Sequence, residues 1–226
     1  MFSAVAVDID GTITGMDRRL HHGVSELLYN LEVPVVLATG NVLCYASAAS
    51  KLIGLDGKVI SENGGVLQLA FDAKPYVSDN IEECEEAFDL LSSKFDLVRL
   101  DSHLRKTEIT LRRSVPVEEL QKSILGSHPN VEIIDTGFAV HIKSRDVNKG
   151  TGLARMAELM DVRVKDFIAI GDSVNDIEMC EAAGFSVAVS NASDELKKIA
   201  DMVTSLSFGD GTQEALERLL AEGLIS

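Results

Sequence analysis

The sequence predicts an α/β fold, a doubly wound parallel sheet interrupted by a smaller α/β unit. Short, largely apolar runs at residues 3–9, 33–38 and 167–170 alternate with helical patterns at both ends of the chain, as expected of strands covered on both faces. The middle third breaks that rhythm with helices and a hairpin pattern. Polar residues follow the first two of these runs and the run at 167–170 directly, so they share one edge of the predicted sheet.

The first strand, residues 3–9, is followed by an amphipathic helix at 24–31 with Leu27, Leu28 and Leu31 on one side. A strand at 33–38, a helix at 42–53 and a short strand at 58–61 complete the first third. Next come a helix at 81–95 with acidic outer positions, an alternating strand at 106–112 and a helix at 116–125 opened by Pro116. Strands at 131–134 and 138–143 flank Asp135-Thr136-Gly137, a hairpin turn. After Asn148 the first pattern returns: a helix to Met160, a strand at 167–170, a helix from Val174, a strand at 186–189 and helices at 194–200 and 213–221. The expected division is a core of residues 1–80 and 147–226 with residues 81–146 inserted.

The composition is that of a globular chain, with 46% hydrophobic and 25% charged residues among 226. No apolar run approaches the roughly 20 residues of a membrane span. The apolar opening meets Asp8 at once and has no basic leader, so it reads as a buried strand rather than a signal peptide. Cys44, Cys84 and Cys180 are odd in number and widely spaced, which predicts free thiols and a cytoplasmic location. Twenty-one Lys and Arg against 36 Asp and Glu give a net charge of −15. Such a surface repels nucleic acid and anionic membranes, and neither is an expected partner. It repels a phosphate ester too, unless a local cation reverses the sign.

Four segments carry candidate chemistry. In Asp8-Ile9-Asp10-Gly11-Thr12 two carboxylates two residues apart converge on one spot, and Gly11 lets the backbone turn away; an Asp-Gly turn explains the same residues equally well. In Gly171-Asp172-Ser173-Val174-Asn175-Asp176, carboxylates at a strand end and a helix start suit Mg²⁺. A helix cap accounts for Ser173 and Asp176 but leaves Asp172 unexplained. Thr39-Gly40-Asn41 offers a hydroxyl and backbone N–H groups at a helix start, an anion seat or simply a cap. Lys149 opens a helix whose dipole it opposes, a conflict that a phosphate would remove. Three of the four lie just past strand ends, where open α/β sheets bind ligands.

In these residues the chain resembles the haloacid-dehalogenase-like phosphatases: Asp-x-Asp-Gly-Thr, the Thr after the second strand, the isolated Lys and Gly-Asp-Ser-x-Asn-Asp occur in that superfamily's order. The insertion, together with Ser61-Glu62-Asn63-Gly64-Gly65 and Asp210-Gly211-Thr212-Gln213-Glu214-Ala215-Leu216, looks like the Cof-type branch. The small insertion is most similar to archaeal phosphoglycolate phosphatases. Asn41 departs from that pattern, since many Cof-type members carry Arg there.

The resemblance implies a Rossmann-like core with an α/β cap, and Mg²⁺ held by Asp8, Asp10, Asp172 and Asp176. It makes Asp8 the nucleophile and Asp10 the acid and base, and assigns Thr39, Gly40, Lys149 and Asn175 to the substrate. The implied partner is a small-molecule phosphate ester, 2-phosphoglycolate before a sugar phosphate, and a homodimer is the one assembly kept open. A receiver-type phospho-acceptor is a more distant alternative; it has no use for Asp10 or a cap. His21, His22, His103 and His128 read as exposed loop residues. His141 and Lys143 share one face of an inserted strand, more often a solvated face than a substrate-reading one.

Overall fold

The computed structural model describes residues 1–226, which form two compact units, Met1–Pro75 with Asn148–Ser226 and Tyr76–Val147. The chain opens with β1 (Ala4–Asp8), α1 (His22–Asn30), β2 (Val35–Ala38), α2 (Leu43–Ile53), β3 (Val59–Ser61) and β4 (Val66–Gln68). The second unit runs through β5 (Tyr76–Val77), α3 (Ile81–Ser92), β6 (Arg99–Leu100), β7 (Ile109–Leu111), α4 (Val117–Ile124), β8 (Val131–Asp135) and β9 (Val140–Ser144). The first unit then resumes with α5 (Lys149–Leu159), β10 (Phe167–Gly171), α6 (Ile177–Ala182), β11 (Phe185–Ala188), α7 (Asp194–Ile199), β12 (Met202–Val203) and α8 (Phe208–Ala221).

Within the first unit the strands lie in the order β12-β11-β10-β1-β2-β3-β4, all parallel except β4, which pairs antiparallel with β3. From β1 the chain winds outward through β2 and β3, then restarts at β10 on the other side. The carboxyl ends of β1 and β10 therefore meet at a switch point, the usual ligand crevice of such sheets. The alternation within β1 explains the two cores. Val5 and Val7 face α1, α2 and α8 through Val24, Leu28, Ala46, Ile53, Leu216 and Leu219. Ala4 and Ala6 face α5, α6 and α7 through Leu153, Met156, Met179, Cys180 and Leu196.

The second unit is a four-stranded antiparallel sheet, order β6-β7-β9-β8. Alternate residues Ile109, Leu111, Ile133, Val140 and Ile142 pack with Cys84, Ala87 and Leu91 of α3 and Leu120 and Ile124 of α4. His141 and Lys143 are not on a solvated face. Both are buried; His141 Nδ1 lies 2.9 Å from Glu108 Oε1, and Lys143 pairs with Glu132 and donates to the Val147 carbonyl at 2.6 Å. Buried polar and charged side chains of this kind persist only when partnered. Arg112 is exposed. The three cysteines are free, and no helix is long and apolar enough to cross a membrane.

Candidate active site

Asp8 ends β1 and is 5% exposed. Beyond it the backbone leaves the sheet through Asp10 (φ −81°, ψ 113°) and Gly11 (φ 91°, ψ −9°). A Cβ on Gly11 would stand 2.3 Å from Asp172 Oδ2. The left-handed φ and the close approach both require glycine, so the turn can lie directly against the β10 carboxylate. The Gly11 N–H donates to Thr14 Oγ1 at 3.0 Å, and Thr212 Oγ1 of α8 donates to the Thr12 carbonyl at 2.7 Å. Asp10 accepts from Asn41 Nδ2 at 2.7 Å and from the Tyr45 hydroxyl at 3.3 Å.

Lys149, the first residue of α5, is 1% exposed, and its Nζ donates to Asp8 Oδ1 at 2.7 Å and Asp176 Oδ1 at 2.6 Å. The two carboxylates remove the conflict with the helix dipole that the sequence posed. Asn148 precedes it in a reciprocal capping box with Thr151, which fixes the start of the helix.

Asp172 follows β10. Asp176 Oδ2 accepts from the Asp172 N–H at 3.1 Å and the Ser173 N–H at 3.0 Å, so the capping role of Asp176 is real and coexists with its Lys149 bond. Asn191 pins the other side. Its Nδ2 donates to Asp172 Oδ2 at 3.2 Å and the Gly11 carbonyl at 3.0 Å, while its Oδ1 accepts from the Phe208 N–H. Thr12 Oγ1 donates to Asp172 Oδ1 at 3.4 Å.

Thr39 follows β2, and its Oγ1 accepts from the Asn41 N–H at 3.0 Å. The next wall is Glu62-Asn63-Gly64, three consecutive residues at positive φ (49°, 53° and 106°). Asn63 N–H donates to the Thr39 carbonyl at 3.1 Å and Glu62 N–H to the Asn41 carbonyl at 2.9 Å. Non-glycine residues at such angles are strained and persist where the surroundings hold them. Here the strain turns Asn63 Oδ1 toward Gly40 and lets it accept from Asn175 Nδ2 at 2.9 Å. Asn175 is thereby tied to the Thr39-Gly40 segment, 112 residues from its partner in sequence.

One oxygen each of Asp8, Asp172 and Asp176 lies within 4.8 Å of the others. Burial, with the neighbouring Asp176 adding repulsion, pushes the Asp8 carboxyl up to about 7 despite the Lys149 charge. Burial, then Asp8 and Asp176, push Asp172 up to about 8. Burial opposes the Lys149 charge, but Asp176 and Asp8 outweigh it and hold its pKa above the ordinary lysine value. One lysine thus faces three carboxylates, and Asp8 Oδ2 is buried without a hydrogen-bond partner. Hard oxygen donors, an orphaned oxygen and surplus negative charge fit a divalent cation.

A family model for haloacid dehalogenase-like hydrolases matches residues 5–102 and 110–216. The chain belongs to the haloacid dehalogenase-like hydrolases. It is 52% identical over 225 residues to a phosphoglycolate phosphatase of Methanosarcina acetivorans, covering 99% of each chain. It is 44% identical to the phosphoglycolate phosphatase of Archaeoglobus fulgidus over 96% of each. Among solved structures, Thermoplasma acidophilum 0175 superposes with a TM-score of 0.87 at 23% identity, covering 97% of this chain and 99% of that one. The subclass IIB sugar phosphatase BT4131 does so at 0.81 and 20%, covering 99% and 100%. These structural likenesses concern the fold.

In this family member, Asp8, Lys149, Asp172 and Asp176 form one bonded or closely packed group, and Asp10, Thr39, Gly40 and Asn175 lie around it through Asn41 and Asn63. Sequence reasoning missed Asn63, Asn191, Tyr45 and the bond that Asn41 makes. Ser61-Glu62-Asn63-Gly64-Gly65 stood out only by its resemblance to the Cof-type branch, and nothing local marked Asn191 or Tyr45. His21, read as a loop residue, accepts from the Val24 N–H as the cap of α1 and lies 3.1 Å from Asp210.

Proposed function

We propose that the chain is a Mg²⁺-dependent phosphatase that hydrolyses 2-phosphoglycolate to glycolate and phosphate through a phospho-aspartate at Asp8. The observation that carries the reading is Asp8 itself. It is a buried carboxylate with one oxygen on Lys149 and the other unpartnered, at the switch point beside Asp172. Asp8 attacks phosphorus in line; the P–O bond to the leaving group breaks as Asp10 gives its proton to the departing alkoxide. Asp10, now a carboxylate, takes a proton from water, which attacks phosphorus and breaks the bond to Asp8. Lys149 and the Thr39 hydroxyl hold the transferring phosphoryl oxygens, where catalysis of this kind is mostly electrostatic. Asp8, the Asp10 backbone carbonyl and Asp172 would hold Mg²⁺, with Asp176 beside them. When bound, the ion offsets the surplus carboxylate charge that otherwise repels the phosphate.

The substrate reading rests on the relatives over their full length. With eight Phe, three Tyr and no Trp, the chain is poor in side chains for stacking a base. The inserted unit is read as the cap from which selectivity for the leaving group comes. A sugar phosphate is the alternative, favoured by the fold shared with a sugar phosphatase. The test compares kcat/KM for 2-phosphoglycolate, hexose phosphates, glycerol phosphates and nucleoside monophosphates at one Mg²⁺ concentration. Phosphoglycolate is expected to lead; a hexose phosphate ahead by about tenfold, roughly 1.4 kcal/mol of transition-state preference, overturns the substrate and leaves the chemistry standing.

A further inference from the structure

Asp10 is half-buried and makes no hydrogen bond to the Lys149 group; its carboxylate is held from the α2 side alone. Asn41 Nδ2 donates to Oδ2 at 2.7 Å and the Tyr45 hydroxyl, in the first turn of α2, donates to Oδ1 at 3.3 Å. We propose that Asn41 and Tyr45 are positioning residues that aim the Asp10 carboxyl at the leaving-group oxygen. The inference rests on the acid role given to Asp10 above.

An amide N–H only donates, so Asn41 holds Oδ2 by a bond of fixed direction. Oδ1 accepts from the Tyr45 hydroxyl, so the two oxygens are held separately and the carboxyl plane is fixed. Asn41 is itself fixed: its N–H donates to Thr39 Oγ1 at 3.0 Å and its carbonyl accepts from the Glu62 N–H at 2.9 Å. The phosphate seat and the acid are therefore registered through one residue.

Loss of a general acid is felt in proportion to how poor the leaving group is. The experiment measures kcat/KM, which covers the steps up to formation of the phospho-enzyme, for 2-phosphoglycolate and for p-nitrophenyl phosphate. Wild type, Asn41→Ala, Tyr45→Phe and Asp10→Asn are compared. Each protein is assayed on both esters from one sample, so the ratio is independent of the folded fraction. For Asn41→Ala the alkyl ester is expected to fall about tenfold or more and the activated ester by about threefold or less; Tyr45→Phe shifts the ratio the same way by a smaller factor. Equal falls on both esters in Asn41→Ala, as loss of the Thr39 seat alone would give, overturn the proposal. An Asp10→Asn protein that does not discriminate the esters overturns the acid role itself, a distinguishable failure.

Discussion

The Asp8→Asn protein is expected to lose on the order of 10⁴-fold or more of kcat, with its fold and melting behaviour close to wild type. The amide keeps an oxygen that can accept from Lys149 Nζ, now 2.7 Å from Asp8 Oδ1, but it cannot attack phosphorus. Stability is expected to hold because Asp8 is a strained charge in the metal-free protein. Its pKa stands near 7, and its ionised form repels Asp176 and Asp10. Removing that charge leaves Lys149 still paired with Asp176 at 2.6 Å. Activity and melting temperature are measured on protein whose mass excludes deamidation back to Asp. Retention of more than a few per cent of turnover contradicts the assignment.

Removing divalent metal is expected to have the next largest effect. Chelation should stop turnover, and Mg²⁺ should restore it; Ca²⁺ can occupy similar oxygens while its looser geometry supports little reaction. The same sites predict a pH signature. Asp8 and Asp172 are raised from 3.8 to about 7 and about 8 in the folded protein. A carboxyl raised on folding costs no stability below its unfolded pKa, where both states are protonated. The cost grows as pH rises through the window between the two values. In chelator, these groups should therefore lower stability progressively from about pH 4 to pH 8. Mg²⁺ replaces their protons, so its stabilisation should grow across that window and its binding should release protons. At roughly 2–4 °C per kcal/mol for a chain of this size, the difference in melting temperature with and without Mg²⁺ should widen by several degrees between pH 5 and pH 8. Full activity in excess chelator, or a Mg²⁺ effect that shrinks with rising pH, contradicts the metal assignment.

The parts of the fold legible in the sequence were those with a strong period. Strands β1, β2 and β10 are buried on both faces, so their residues are apolar without a break, and the polar residues after them stood out. The two-residue strands β6 and β12 were too short to carry any period, and so was the antiparallel β4, three residues long. Helix α8 begins at Phe208 rather than Gln213 for a packing reason. Gly209 and Gly211 read as loop residues, yet a Cβ on either would stand 2.2 Å from His21 Cβ or 2.3 Å from the Leu206 carbonyl. Close approach there overrides helix propensity. In the site, the carboxylates were legible by their spacing at strand ends, and Lys149 because it opposes the dipole of the helix it opens. Asn63, Asn191 and Tyr45 were not, because each acts through a partner distant in sequence: Asn175 for Asn63, Asp172 and Gly11 for Asn191, and Asp10 for Tyr45.

The most direct measurement is of the covalent intermediate. Rapid quench of the Mg²⁺-loaded enzyme during turnover of 2-phosphoglycolate, followed by mass analysis of its peptides, should find one hydroxylamine-sensitive phosphoryl group on Asp8. It should form no more slowly than turnover, decay when substrate is exhausted and be absent from Asp8→Asn. Steady turnover with no phosphoryl group on the chain, or one on any other residue, contradicts the account.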